Sequence, residues 1–230
     1  MRRLTILLFL LSFSSLFAQE PELPDFQAID SLYREDQFYF SLTYNILQRR
    51  PEDLEQNKVS LGLSVGFLRD MPINDKRTFS VAVGLGYSLN TFNQNLLVSE
   101  NGGEFSYEFL PADLAYDKNK FILNYIDLPV EIRWRTSTYE SHRFWRVYTG
   151  LKLSYLFYDT YKLRSDSGDR TITGNTDFNK FQYGAYLTAG YNIWNFYVYY
   201  GLNPMLKSAQ VQGEELHPHI LNLGLMFYIL

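Results

Sequence analysis

Apolar and polar residues alternate strictly over the stretch from Asn124 to Tyr158, in two strand-length segments joined by a short polar turn. Ile126, Leu128, Val130, Ile132 and Trp134 share one face of the first, with Asp127, Pro129, Glu131, Arg133 and Arg135 on the other. The second sets Trp145, Val147, Thr149, Leu151, Leu153, Tyr155 and Phe157 against Arg146, Tyr148, Gly150, Lys152 and Ser154. A period of two means β-strand, because successive side chains point to opposite faces. Charges of both signs line one face for two whole strands, while the other stays apolar and is bounded by aromatics. That is the pattern of a small barrel with its apolar side in lipid and a polar, charge-paired interior.

The same period runs through the rest of the chain. Phe38, Phe40, Leu42, Tyr44 and Ile46 form one apolar face, Val59 to Phe67 a second and Phe79 to Leu89 a third. The opposite faces of the second and third strands are almost entirely Gly, Ala and Ser, which predicts room for the long Arg, Lys and Glu side chains of the fourth and fifth. A tight turn at Trp194-Asn195 separates strands six and seven, and Ile220 to Leu230 forms the eighth. Polar connections are expected at residues 48–58, 70–76, 91–120, 137–143, 159–179 and 204–218. They alternate long and short, as in an up-and-down barrel with loops outside and turns in the periplasm. The fold class expected is therefore all-β: an eight-stranded antiparallel up-and-down transmembrane β-barrel over residues 37–230. Both termini would be periplasmic, and the localisation that of the outer membrane of a diderm bacterium.

The start of the chain sharpens this. Arg2 and Arg3 precede an apolar run from Leu4 to Phe17, with Ala18-Gln19 as the cut, so residues 1–18 read as an export signal. The run is too short for a spanning helix, which needs about 20 apolar residues. Residues 19–36 then form a periplasmic tether, where Asp25 caps a short helix with Phe26, Ile29, Leu32 and Tyr33 on one face, a surface for partner contact. Losing residues 1–18 removes two arginines and no acid, so the formal charge moves from −4 to −6. A mildly acidic chain without a basic patch argues against nucleic acid. Aromatics at 17% exceed what a soluble domain needs, and the absence of cysteine excludes disulfides and thiol chemistry. A soluble lipocalin-like barrel would reverse the polarity, with charges outside.

Candidate chemistry is sparse. Asp127, Glu131, Arg133, Arg135, Arg146 and Lys152 share one face of adjacent strands, where cross-strand neighbours lie about 5 Å apart. They are expected to form a structural ion-pair network in a lumen too small to conduct, the alternative being a narrow ion path. His142 falls in a turn. His217 and His219 flank Pro218 near Glu214 and Glu215, the place a metal would be sought, and His217 or His219 with Ser208 and Glu214 would be the only candidates for a lipid A-modifying enzyme. No Ser–His pairing is visible, so no catalytic residue, cofactor, metal or small-molecule substrate is inferred. The partners expected are membrane lipid and other outer-membrane or periplasmic proteins.

Two further features carry a resemblance. Asn222, Gly224, Phe227 and Ile229 fit a polar, glycine, apolar, apolar ending similar to the C-terminal signal by which outer-membrane barrels are recognised for assembly, although the chain finishes on Leu230 where many finish on Phe. With "NYIDLPVEIRWRT" (124–136), "SLYREDQFYFSLTYNIL" (31–47) and "FLRDMPIN" (67–74), the chain resembles the PorT family of small outer-membrane β-barrels of the Bacteroidota, flavobacterial type. The family landmark, an Ile-x-x-Pro core after a long loop, stands here at Ile126, Pro129 and Ile132. The resemblance implies a non-enzymatic accessory or scaffold subunit of a larger complex, in protein secretion of the type IX kind or in barrel assembly. A free-standing porin-like or surface-binding barrel is the alternative.

Overall fold

A computed structural model describes residues 36–111, 114–136 and 144–229. The export signal, Phe26, Ile29, Leu32, Tyr33 and His142 lie outside the described residues. The described residues form thirteen strands: β1 Gln37–Gln48, β2 Leu61–Pro72, β3 Phe79–Asn93, β4 Leu96–Asn101, β5 Glu104–Phe109, β6 Tyr116–Arg135, β7 Trp145–Ser165, β8 Gly168–Thr173, β9 Phe181–Tyr191, β10 Trp194–Gly201, β11 Gln210–Val211, β12 Glu214–Glu215 and β13 His219–Ile229. Eight of them close a ring in the order β6-β3-β2-β1-β13-β10-β9-β7, completed by the β6–β7 pairing, with every pair in the ring antiparallel. Closure leaves no row of N–H and C=O groups unpaired, which is what a sheet immersed in lipid requires.

Alternation decides the two faces. Outward residues such as Ile132, Trp145 and Leu151 are 59%, 60% and 62% exposed, whereas Glu131 and Arg133 on the neighbouring positions are 1% and 0%. From Leu61 to Met71 the chain rises about 34 Å along the strand, or about 26 Å along the barrel axis at a tilt near 40°, the height of a lipid-facing band. Aromatic pairs mark both margins. Phe38 packs on Phe67 at 5.1 Å, Trp145 on Tyr191 at 5.3 Å and Trp194 on Phe227 at 5.4 Å near the short turns. Tyr155 meets Phe181 at 5.2 Å and Tyr87 meets Phe157 at 6.2 Å toward the long loops.

Several boundaries differ from expectation. The turn expected at 70–76 starts later: β2 runs to Pro72 and carries Asp70 into the interior. The tight turn expected at Trp194-Asn195 lies at Asn192-Ile193, because Asn192 takes the left-handed conformation (φ 57°) that such a turn needs. β7 continues past Tyr158 because of a bulge. Asn124 pairs with Tyr158 and Tyr125 with Leu156, so Phe157 and Tyr158 both face outward and the alternation inverts above them. The expected loops are partly structured as well. Residues 91–120 contain the end of β3, the β4–β5 hairpin turning on Gly102-Gly103 at positive φ, and the start of β6. β8 pairs with the upper end of β7, and β11 and β12 join β5 and β4 in a second, four-stranded sheet.

The room left by small residues is also used differently. A Cβ on Gly66 would come within 2.5 Å of the Tyr39 ring, and one on Gly86 would collide with the Tyr39 hydroxyl. An inward tyrosine, rather than a lysine or arginine, fills that wall.

Candidate functional site

The interior is organised in layers from the short-turn end upward. Asp70 sits lowest on β2, fully buried, and accepts from both guanidiniums that β6 sends inward. Arg135 reaches it through two nitrogens at 3.0 and 2.8 Å and Arg133 through one at 3.1 Å, while the Ser80 hydroxyl donates at 2.7 Å. Arg133 also donates to Glu131 at 2.7 Å, and Arg135 to the Arg77 carbonyl at 3.0 Å. Glu131 in turn accepts from the hydroxyls of Tyr186 at 2.8 Å and Tyr228 at 3.4 Å. Burying charge is tolerable only when it is paired and its hydrogen-bonding capacity is met, and this layer meets most of it.

Arg146 is different. It has no carboxylate within ion-pair reach among the described residues and lies against rings instead: Phe144 at 4.6 Å, Tyr228 at 5.3 Å and Tyr148 at 5.9 Å. Guanidinium over aromatic faces is a favourable placement and offsets part of the cost of burial, while the Arg146 Nε and Nη1 have no hydrogen-bond partner among the described residues. One layer higher, Lys152 lies 3.7 Å from Asp127 and 4.4 Å from the Tyr199 ring, and Ser154 donates to Asp127 at 2.5 Å. A cavity of about 10 Å³ remains between Tyr39, Ser64, Asp127, Glu131, Lys152 and Tyr186. That is room for roughly one water. Above it the lining turns to amides and hydroxyls, with Thr43 donating to Asn45 at 2.9 Å and Asn45 to Asn90 at 3.1 Å.

The long-loop end is closed by a cap. Leu96, Val98 and Tyr107 of the β4–β5 hairpin are buried with Phe121, Leu163, Ile172, Phe178, Leu206, Val211 and Leu216 in one apolar cluster. Polar ties fix the hairpin to the barrel. Asn119 donates to the Leu96 carbonyl at 2.8 Å, and Arg170 donates to the Val98 carbonyl at 3.1 Å and to Ser99 at 2.8 Å. The Tyr107 hydroxyl donates to Asp177 at 3.0 Å and accepts from Asn175 at 2.7 Å. Burial pushes the Tyr107 phenol well above its ordinary range, so it stays a donor.

A filled, polar-lined ring of eight strands with its apolar wall turned outward is how a transmembrane barrel is built. The family model described as outer membrane protein beta-barrel domain matches residues 17–207. The chain belongs to that family. Its place is accordingly an outer membrane. Among curated proteins, none matches the chain.

Within this outer-membrane barrel the six interior charges named from the sequence share one space. Asp127 with Lys152 forms one group and Glu131, Arg133 and Arg135 another, while Arg146 stands apart on its rings. Asn222 and Gly224 face inward on β13, and Phe227 and Ile229 outward. Gly224 lies on the seam between the first and last strands, opposite Thr43, where a Cβ would strike the Leu42 carbonyl and lie 2.7 Å from the Thr43 Cα. Ser208, His217 and His219 do not converge. Ser208 donates to Asp177, His217 lies 3.3 Å from Glu215, and the buried His219 ring bonds the Gly201 carbonyl at 2.8 Å and stacks on Tyr200.

Sequence reasoning missed Asp70, the acceptor on which the lowest layer depends. The signal was present, since Asp70 continues the even-numbered face of Ser60, Ser64 and Leu68 by one more step. It also missed the inward tyrosines as a class, although Tyr39, Tyr148, Tyr186, Tyr197 and Tyr228 all occupy the polar phase of their strands.

Proposed function

We propose that this barrel works through its surfaces rather than its lumen, as a non-enzymatic accessory or scaffold subunit of a larger outer-membrane complex. The observation that carries this reading is the double closure, an ion-and-tyrosine plug below and an apolar cap above. A barrel so filled has no solute path to offer, and Ser208, His217 and His219, weighed as catalytic, each have a different partner. The resemblance to the PorT family of the Bacteroidota supports the narrower version, service in protein secretion of the type IX kind or in barrel assembly. On this reading residues 1–18 are removed on export and both termini are periplasmic. Phe26, Ile29, Leu32 and Tyr33 then contact a periplasmic partner, and Asn222, Gly224, Phe227 and Ile229 serve recognition by the assembly machinery.

Purification from native membranes in mild detergent, followed by quantitative mass spectrometry, tests it. A stoichiometric partner that is lost from an Ile29→Asp, Leu32→Asp variant is expected. A lone monomer that gives stepwise conductance in planar bilayers would establish the porin-like reading instead.

A further inference from the structure

Above the upper aromatic margin the outward faces of β6 and β7 change from apolar to basic. The ladder sets Lys120 directly opposite Lys162, and Lys118 directly opposite Arg164. Asn119, Phe121, Tyr161 and Leu163 point inward, so the four cations share the outward face, the same face that carries Phe157 and Tyr158 below them. This coincidence depends on the bulge, which inverts the phase of β7 at Phe157. Cross-strand partners have Cβ atoms about 5 Å apart, and like charges directly opposite destabilise a sheet. Two such rungs in succession therefore call for an anion.

The protein itself supplies little of one. Asp169 approaches Arg164 at 3.9 Å with both side chains mostly exposed, and among the described residues no carboxylate lies within 4 Å of Lys118, Lys120 or Lys162. Asp117 and Asp166 are exposed nearby without pairing to the ladder. Lys58 adds a fifth positive charge at the start of β6, held by the carbonyls of Tyr116 at 3.1 Å and Asp117 at 2.6 Å. Asn93 flanks Lys120 on the β3 side and Thr171 flanks Lys162 on the β8 side. Lys162 stands four residues past Tyr158, about 10 Å higher along the barrel axis. That is headgroup height for a lipid whose chains lie on Tyr155, Phe157 and Ile126.

We propose that the Lys118–Arg164 and Lys120–Lys162 rungs bind the phosphate of an outer-leaflet glycolipid headgroup. The site is continuous with the lipid-facing wall, which favours a membrane lipid over a soluble anion, and it rests on the orientation proposed above. Clustered cations at a membrane surface each strengthen anion attachment several-fold.

The test uses the full mature chain refolded in detergent, with native mass spectrometry counting bound lipid A before and after phosphatase treatment. Retention of the phosphorylated form alone is expected, weakened about 30-fold by Lys120→Gln with Lys162→Gln and kept by the paired Lys→Arg changes. Equal retention of both lipids overturns the proposal, as does unchanged retention in a Gln variant that keeps native heat-modifiable mobility. Displacement by inorganic phosphate would place recognition on the free anion and also overturn it. Orientation is read separately by an impermeant maleimide on intact cells carrying Glu104→Cys, a clean reporter because the chain has no cysteine. Label at that site with phosphate-blind lipid binding sinks the ladder reading alone. No label with phosphate-dependent binding sinks the outer-leaflet assignment.

Discussion

Replacing Asp70 by asparagine keeps the volume of the side chain and one acceptor oxygen, yet strips the lowest layer of the charge that Arg133 and Arg135 both approach within 3.1 Å. At an effective dielectric near 20, each such contact is worth about 4 kcal/mol before desolvation is subtracted. The guanidiniums stay buried whether or not the carboxylate is present, and breaking one partner of a buried pair costs about 3–5 kcal/mol. The charge balance points the same way. Within the two charged layers Asp70, Asp127 and Glu131 face Arg133, Arg135, Arg146 and Lys152, so these layers already carry an excess cation and D70N adds a second; the buried Asp159 lies higher, 3.8 Å from Lys180. Urea unfolding of the barrel in lipid vesicles, followed by tryptophan fluorescence, should show a loss in that range. Asp169→Asn, in an exposed pair, should stay within about 0.5 kcal/mol of the parent. Adding Arg135→Gln to D70N should recover about 1 kcal/mol or more, because it removes one orphaned cation. A D70N barrel within about 1 kcal/mol of the parent would refute the claim that Asp70 anchors the plug.

The seam and the cap give two more outcomes. Gly224→Val pushes a side chain into the β1 backbone at the closing strand pair, so a loss of about 1–3 kcal/mol or more and a reduced folded band in heat-modifiable electrophoresis are expected; parent-like behaviour would remove the steric role of Gly224. Tyr107→Phe leaves buried Asn175 without its acceptor, costing about 1–3 kcal/mol in the cap. Faster proteolysis within the β4–β5 hairpin with an intact barrel fragment is the expected readout, and unchanged cleavage would count against the cap as a cooperative unit.

The barrel was legible because lipid enforces period two wherever the wall touches it, so Ile126 to Trp134 and Trp145 to Phe157 declare their faces directly. Legibility failed where that constraint ends. Asp70 sits beside Pro72 in a polar run that reads as a turn, and only strand pairing reveals that β2 continues through it. Phe157 breaks the period by one residue, which hid the upper reaches of β7 and with them the basic ladder. The β4–β5 hairpin packs on the barrel mouth rather than on lipid, so Leu96 and Val98 have no periodic wall to match. Which cation meets which acid depends on register across β2, β3 and β6, and Arg146 choosing rings over a carboxylate has no signature along the chain.

The central claim is inverted polarity: apolar outside, ions and hydroxyls inside. Single cysteines at Leu63, Ser64 and Val65, spin-labelled in the barrel reconstituted into lipid, test it most directly through collision with dissolved oxygen. Labels at 63 and 65 should be oxygen-accessible at lipid depth, with the label at 64 immobile and shielded. Oxygen access at 64 together with shielding at 63 and 65 would contradict the account.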